Sequence, residues 1–242
     1  MTEENDFNFV EQLSELRKRL MISAGAFLLF LVVAFIFVQP IYEWLVKDLP
    51  MTLAVLGPSD ILWVYLMLAT VVAIAGTTPV AAYQIWLFVA PALTEKERKV
   101  SLTYIPALFL LFITGIAFGY FVLFPLVFRF LLSLSSDLFM TFFTTEKYFS
   151  FLLHMTLPFG FLFELPVIIM FLTSLGLLNP YTLRKSRKYA YFCLVTISVL
   201  ITPPDFLSDV LVIIPLIFLY ECSMILSTHI YKKKQKALSL AA

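Results

Sequence analysis

In Arg17-Lys18-Arg19-Leu20-Met21-Ile22-Ser23-Ala24-Gly25-Ala26-Phe27-Leu28-Leu29-Phe30-Leu31-Val32-Val33-Ala34-Phe35-Ile36-Phe37-Val38, three basic residues give way to nineteen without a charge. About 20 apolar residues cross about 30 Å of hydrocarbon, so Leu20 to Val38 reads as a membrane span. The sixteen residues ahead of the basic cluster carry only acidic charges, and no small-residue cleavage site follows the apolar run. A cleavable signal is therefore not expected. The rest of the chain agrees. It is 61% hydrophobic and only 14% charged, against roughly 25% charged in a soluble domain. Lipid must solvate most of such a surface. A net charge of +1 gives no global field toward nucleic acid. The two cysteines, Cys193 and Cys222, sit inside apolar runs and read as packing, without metal-ligand spacing.

Five more segments follow: 61–83, 102–124, 149–175, 189–201 and 210–227. The second is interrupted late by Gly76-Thr77-Thr78-Pro79, and the fourth by Pro158, Gly160 and Pro166. The last two are short. Thirteen residues at 1.5 Å each rise about 20 Å, less than a bilayer. Orientation follows from Lys and Arg in the connections. Arg17, Lys18, Arg19, then Lys96, Arg98, Lys99, then Arg184, Lys185, Arg187, Lys188, and finally Lys232, Lys233, Lys234, Lys236 fall on one side. The other side holds only Lys47, Arg129 and Lys147. The expectation is an all-α, polytopic membrane protein in the bacterial cytoplasmic membrane. It has six spans, both termini inside, residues 1–19 as a cytoplasmic helix and 228–242 as a basic tail, all in one integral membrane domain. The long connections 39–60 and 125–148, rich in aromatics and Pro, are expected to form an outer cap of short helices. Tyr42, Trp44 and Trp63 suit an interfacial belt.

Several residues are candidates for chemistry. Phe9, Val10, Leu13, Leu16 and Leu20 recur at helical spacing, which makes the first segment amphipathic. Its Glu15 has two readings: a local ion pair with Lys18 or Arg19, or a carboxylate open to a cationic partner. In Leu93-Thr94-Glu95-Lys96-Glu97-Arg98, Thr94 and Glu97 have capping-box spacing; Glu95 or Glu97 could equally stay free at the surface. Glu164 falls near the bilayer middle, where an ionised carboxylate costs about 2.5–3.5 kcal/mol by insertion scales. It must face the bundle, be protonated or line a wet cavity, and Pro158 and Pro166 beside it free backbone carbonyls. Glu221 lies nearer the inner surface and is expected to snorkel. Leu200-Ile201-Thr202-Pro203-Pro204-Asp205 makes a tight outer hairpin, with Asp205 able to cap the next helix. His154 is expected to be a hydrogen-bonded structural group. Gly115 and Gly119 form a small-xxx-small pair. No phosphate-binding Gly-rich loop and no HExxH motif is present. No cofactor and no catalytic role are expected.

These residues together resemble the TatC family, the core subunit of the twin-arginine protein translocase, over nearly the whole chain. Leu13-Ser14-Glu15-Leu16-Arg17-Lys18-Arg19-Leu20 is similar to the family's N-terminal motif, with Gln12 where the family usually has His. Pro79-Val80, Tyr83 to Leu93, and Glu97-Arg98 are similar to its first inner loop. Phe163-Glu164-Leu165-Pro166 and Leu200 to Asp205 complete the set. The resemblance implies a concave bundle and a proton-gradient-driven export core for folded proteins. It implies a receptor for signal peptides with two adjacent arginines, in which Glu15 and Glu97 form the acidic site, helped by Arg17 and with Phe88 at a functional position. Glu164 would be the polar group between helices. Thr202, with Pro203, Pro204 and Asp205, would lie where single-span TatA/TatB-type subunits dock. Self-association is implied as well.

The main alternative is a secondary transporter of a small solute, which also uses a mid-membrane Glu and broken helices. It predicts internal duplication of spans, and the sequence has none. An intramembrane hydrolase lacks a nucleophile–base pair.

Overall fold

The computed structural model describes residues 2–47, 49, 52–135, 142–202 and 206–239. Among them lie eleven α-helices: α1 (Thr2–Ile36), α2 (Val38–Val46), α3 (Pro58–Val89), α4 (Glu95–Leu102), α5 (Tyr104–Phe118), α6 (Phe124–Ser135), α7 (Thr145–Leu162), α8 (Leu165–Ser174), α9 (Pro180–Lys185), α10 (Arg187–Ile201) and α11 (Phe206–Ser239). The one extended pairing among the described residues is a bridge between Ala54 and Thr144. This all-α outcome follows from the solvent: in hydrocarbon each backbone N–H and C=O needs a partner in its own segment. The chain packs as two compact units, Met1–Leu49 with Tyr65–Phe109, and Pro50–Val64 with Leu110–Ala242.

In the first unit, only 6% of the apolar window of α1 is buried, so lipid or a partner must cover the rest. Where α1 meets α3, a Cβ on Gly76 would stand 2.9 Å from the Phe30 ring, so a larger residue there would have to displace that ring. The Gly-Thr-Thr-Pro interruption does not end α3. Thr77 and Thr78 donate to the carbonyls of Ala73 and Ile74 at 2.7 and 2.9 Å, and the helix continues through Pro79 to Val89. Hydroxyls satisfied this way do not break a helix in an apolar medium.

In the second unit, α5 and α7 approach backbone to backbone. A Cβ on Gly119 would lie 2.7 Å from the Cα of Thr156, and one on Gly160 would lie 2.8 Å from the Phe112 ring. The small-xxx-small pair thus does what its spacing predicts, and a π-helical turn over Gly119–Leu123 carries the chain into α6. Leu123, Phe159, Leu194, Val212, Leu216 and Tyr220 form one buried cluster of this unit's core. α8 and α11 pack along their length, with the hydroxyls of Thr173 and Ser227 bonded at 2.7 Å in a fully buried position. α8 ends at Gly176, whose φ of 80° closes a left-handed cap that other residues resist. Asn179 then accepts the Tyr181 N–H at 3.0 Å, with Pro180 opening α9.

Among the described residues, five helical stretches are long and apolar enough to cross a membrane: Gln12–Ile36, Pro58–Val89, Tyr104–Ser133, Thr145–Ser174 and Ser208–Lys232. They cover the expected spans one to four and six. The expected fifth is α10, with 15 residues, about 22 Å. The sixth is not short as expected. α11 runs 34 residues, because Ser227, Thr228 and the basic residues after them continue the helix instead of stopping it. The helix that carries span three also continues beyond its expected end, to Ser135. Of the long connections, the first holds the short helix α2 and the second begins in α6, which extends span three. The two connections meet where Ala54 N–H bonds the Phe143 carbonyl at 3.0 Å and Thr145 N–H bonds that of Ala54 at 2.8 Å.

Candidate functional site

The inner end of α3 organises the first candidate site. Trp86 is buried, and its Nε1–H donates to the buried Ser101 hydroxyl of α4 at 2.9 Å. Ser101 in turn donates to the Arg98 carbonyl at 3.1 Å. The Arg98 guanidinium lies over the Trp86 indole, 5.6 Å from its centroid, and Tyr83 stacks on that indole at 5.7 Å. Thr94 stands at the N-cap position of α4, its carbonyl taking the Arg98 N–H at 2.9 Å. α4 is thereby tied to the end of α3 by a buried hydrogen bond and a ring contact. Phe88 is partly buried in the last turn of α3. Glu97 is a residue of α4; its side chain is outside the described set.

Glu15 projects from α1 and is 42% exposed, paired with Arg19 one turn on. This is the local ion pair that the sequence allowed. Arg17 is exposed and makes no ion pair among the described residues. On the same helix Leu13, Leu16 and Leu20 are also exposed, 50%, 47% and 68%, so a carboxylate and an apolar stripe are offered together. That combination suits a ligand with a cationic head and an apolar body.

Glu164 occupies the break between α7 and α8. Pro166 lacks the N–H that would bond Leu162, so α7 stops at Leu162 and α8 restarts at Leu165. Glu164 is partly buried, and its Oε1 has no hydrogen-bond partner among the described residues. The preceding residue, Phe163, packs its ring against Phe118, with centroids 5.4 Å apart. A buried carboxyl oxygen without a partner is costly, and a polar ligand that reached it would relieve that cost.

At the α10–α11 hairpin, Thr202 turns inward. It is 7% exposed, and its hydroxyl meets the Ser198 carbonyl at 2.9 Å and the Asp209 carboxylate. Ser198 donates to the Asp209 carbonyl at 3.2 Å. Pro203, Pro204 and Asp205 lie outside the described residues. Asp209, which the sequence reading passed over, is the acid that ties this end of the hairpin. At its other end Glu221 binds Arg187 at 2.8 Å and also the Tyr191 hydroxyl; it is bonded across helices rather than snorkelling alone. His154 Nδ1–H bonds the Ser150 carbonyl at 2.7 Å, a local structural role. Among the described residues no three His, Cys, Asp or Glu gather where a metal could be held.

The chain matches the family model described as Sec-independent protein translocase protein (TatC) over residues 11–215. It is similar to TatCd of Bacillus subtilis, 58% identical over 99% of both chains. It is also similar to TatCy of the same organism, 46% identical over 96% of this chain and 93% of that one. Among solved structures it resembles the crystal structure of the twin-arginine translocase receptor TatC, with a TM-score of 0.79. That match is 34% identical and covers 90% of this chain and 99% of the other.

Proposed function

The chain belongs to the TatC family of Sec-independent protein translocase proteins, and from that premise we propose that it is the membrane receptor for twin-arginine signal peptides in a translocase for folded proteins. Glu15 and Glu97 would receive the two arginines, with Arg17 and Phe88 beside them. The carrying observation is the half-exposed Glu15 carboxylate, paired only with Arg19 among the described residues, on a helix that also exposes Leu13 and Leu16. A surface pair of this kind is worth about 0–1 kcal/mol. Exchanging Arg19 for an incoming guanidinium, which can bind a carboxylate through two parallel bonds, therefore costs little. Most of the affinity must come from the apolar stretch of the signal lying against exposed apolar helix surface. The proton gradient drives transport, and single-span Tat subunits dock near the α10–α11 hairpin around Thr202, Pro203, Pro204 and Asp205. Nothing in the fold or the similarities favours a transporter of small solutes.

Six crossings with both termini in the cytoplasm fit this function. Arg184 and Lys185 precede α10, Arg187 and Lys188 open it, and basic residues lie in the last turns of α11. If α11 crosses, α10 must cross as well to bring both basic groups to one side.

The test is a photo-crosslinker placed beside Glu15 or Glu97 in the full chain, offered signal peptides with Arg-Arg or Lys-Lys. Preferential crosslinking of Arg-Arg, lost in Glu15→Ala with Glu97→Ala while membrane insertion stays normal, is the expected result. Equal crosslinking of both peptides overturns the reading.

A further inference from the structure

A receptor for arginines has a problem when its own sequence places an arginine next to an acid of the site. Arg98 follows Glu97 directly and lies three residues after Glu95. Residues three apart on a helix are neighbours, so a Glu95–Arg98 pair is within easy reach. The structure does not form it. Arg98 is exposed, yet its guanidinium lies over the Trp86 ring, and Glu95 has no ion pair among the described residues. The ring that holds Arg98 is itself fixed on two sides. Its N–H is bonded to Ser101, and Tyr83 stacks on it. A buried, hydrogen-bonded indole is a rigid platform, and its face attracts a guanidinium through the ring quadrupole.

Resting on the receptor reading above, we propose that Trp86 holds Arg98 away from Glu95, so that this carboxylate of α4 remains open, as part of the acidic site, to the arginines of a signal peptide. Arg98 is the chain's own competitor for that site. It carries the same guanidinium as the ligand and is tethered to α4, so its local concentration exceeds that of any free peptide. Trp86 is a positioning residue. It touches no signal peptide and acts by where it keeps Arg98. Removing the ring releases the guanidinium, and binding weakens although no binding carboxylate has changed. Removing the guanidinium as well restores binding. A Trp86 that merely packed α4 against α3 would not give that second result.

The experiment uses the full chain in lipid nanodiscs and a fluorescent signal peptide with Arg-Arg or Lys-Lys. Trp86→Leu should weaken Arg-Arg binding about two- to fivefold, the range of a single cation–π contact. Trp86→Leu with Arg98→Gln should return to the wild-type value, and Arg98→Gln alone should bind no worse than wild type. Trp86→Phe, which keeps the ring face and loses the N–H, should stay within about twofold of wild type. If Trp86→Leu does not accumulate in membranes, Arg98→Gln decides alone: weaker binding by that variant makes Arg98 a contributor and overturns the proposal. Failure of the double variant to recover overturns it too. A wild-type chain that binds Arg-Arg and Lys-Lys equally sinks the receptor reading itself, a result separable from the others.

Discussion

Gly115→Ala tests whether the second unit is held by backbone contact between α5 and α7. An added Cβ would run into the Phe159 carbonyl oxygen and lie 2.9 Å from the Gly160 Cα. Both are backbone atoms of α7, so no side chain can rotate away and the helices must separate. Gly25→Ala in α1 is the matched control, because a Cβ there meets nothing within 4 Å. Each substitution gains about 0.5–1 kcal/mol from replacing Gly in a helix interior. Only Gly115→Ala pays the overpacking cost, about 1–3 kcal/mol. The helix term cancels in the comparison, so the two variants should differ by that cost. For a chain of this length 1 kcal/mol moves a melting temperature by about 2–4 °C. Gly25→Ala should therefore melt above wild type, and Gly115→Ala roughly 2–12 °C below Gly25→Ala. The measurement is the fraction of monodisperse protein after heating in detergent. Equal melting of the two variants would refute close approach at Gly115.

Three further outcomes follow from single contacts. Arg187 and Glu221 keep 43% and 31% exposure, so a double-mutant cycle with Arg187→Met and Glu221→Gln should give a coupling of only about 0.5–1 kcal/mol after screening; zero coupling would remove the pair. Glu164→Leu should leave the protein at least as heat-stable as wild type, because it deletes a buried oxygen that has no partner among the described residues. Its export of folded cargo should fall further than that of Glu164→Gln, and a destabilised Leu variant would show that the carboxyl is bonded after all. Cysteines placed at Gln12 and at Gln235 should both be labelled from the cytoplasmic side of inverted vesicles; labelling of the two from opposite sides would limit the chain to five crossings.

Fold class was legible because a run of twenty uncharged residues has one physical use. Helix ends were not, because the end of an apolar run is not the end of a helix: α11 continues through Lys232 and α3 through Pro79. Contacts set by one helical turn could be read directly. Glu15 with Arg19 and Gly115 with Gly119 are four residues apart, and both spacings act as expected. Contacts set by the register of two helices could not. Glu221 finds Arg187 34 residues away only because α10 folds back on α11. Trp86 reaches Ser101 across a turn whose angle no pattern encodes. Nor could the partners of Thr202 be read: the sequence places it in the tight hairpin, and only the folded pair of helices shows its hydroxyl bonded to Ser198 and Asp209.

The two ends of α10 decide how a helix of about 22 Å meets a hydrocarbon layer of about 30 Å. A short helix usually has choices: it can slide, or let flanking residues snorkel. α10 has neither choice. At one end Arg187 and Tyr191 are bonded to Glu221, and at the other Ser198 and Thr202 are bonded to Asp209. Both anchors are on α11, so sliding would break polar bonds at both ends together. On the proposed six-crossing topology the lipid would then give way by about 8 Å beside α10, at a cost of fractions of a kcal/mol per Å. The melting temperature of the reconstituted protein should accordingly rise as the acyl chains of the bilayer are shortened toward the length of α10. It should rise less in Glu221→Leu, where the inner anchor is gone and the helix can adjust. If stability instead peaks in bilayers of ordinary thickness for both proteins, α10 is not held rigidly against α11.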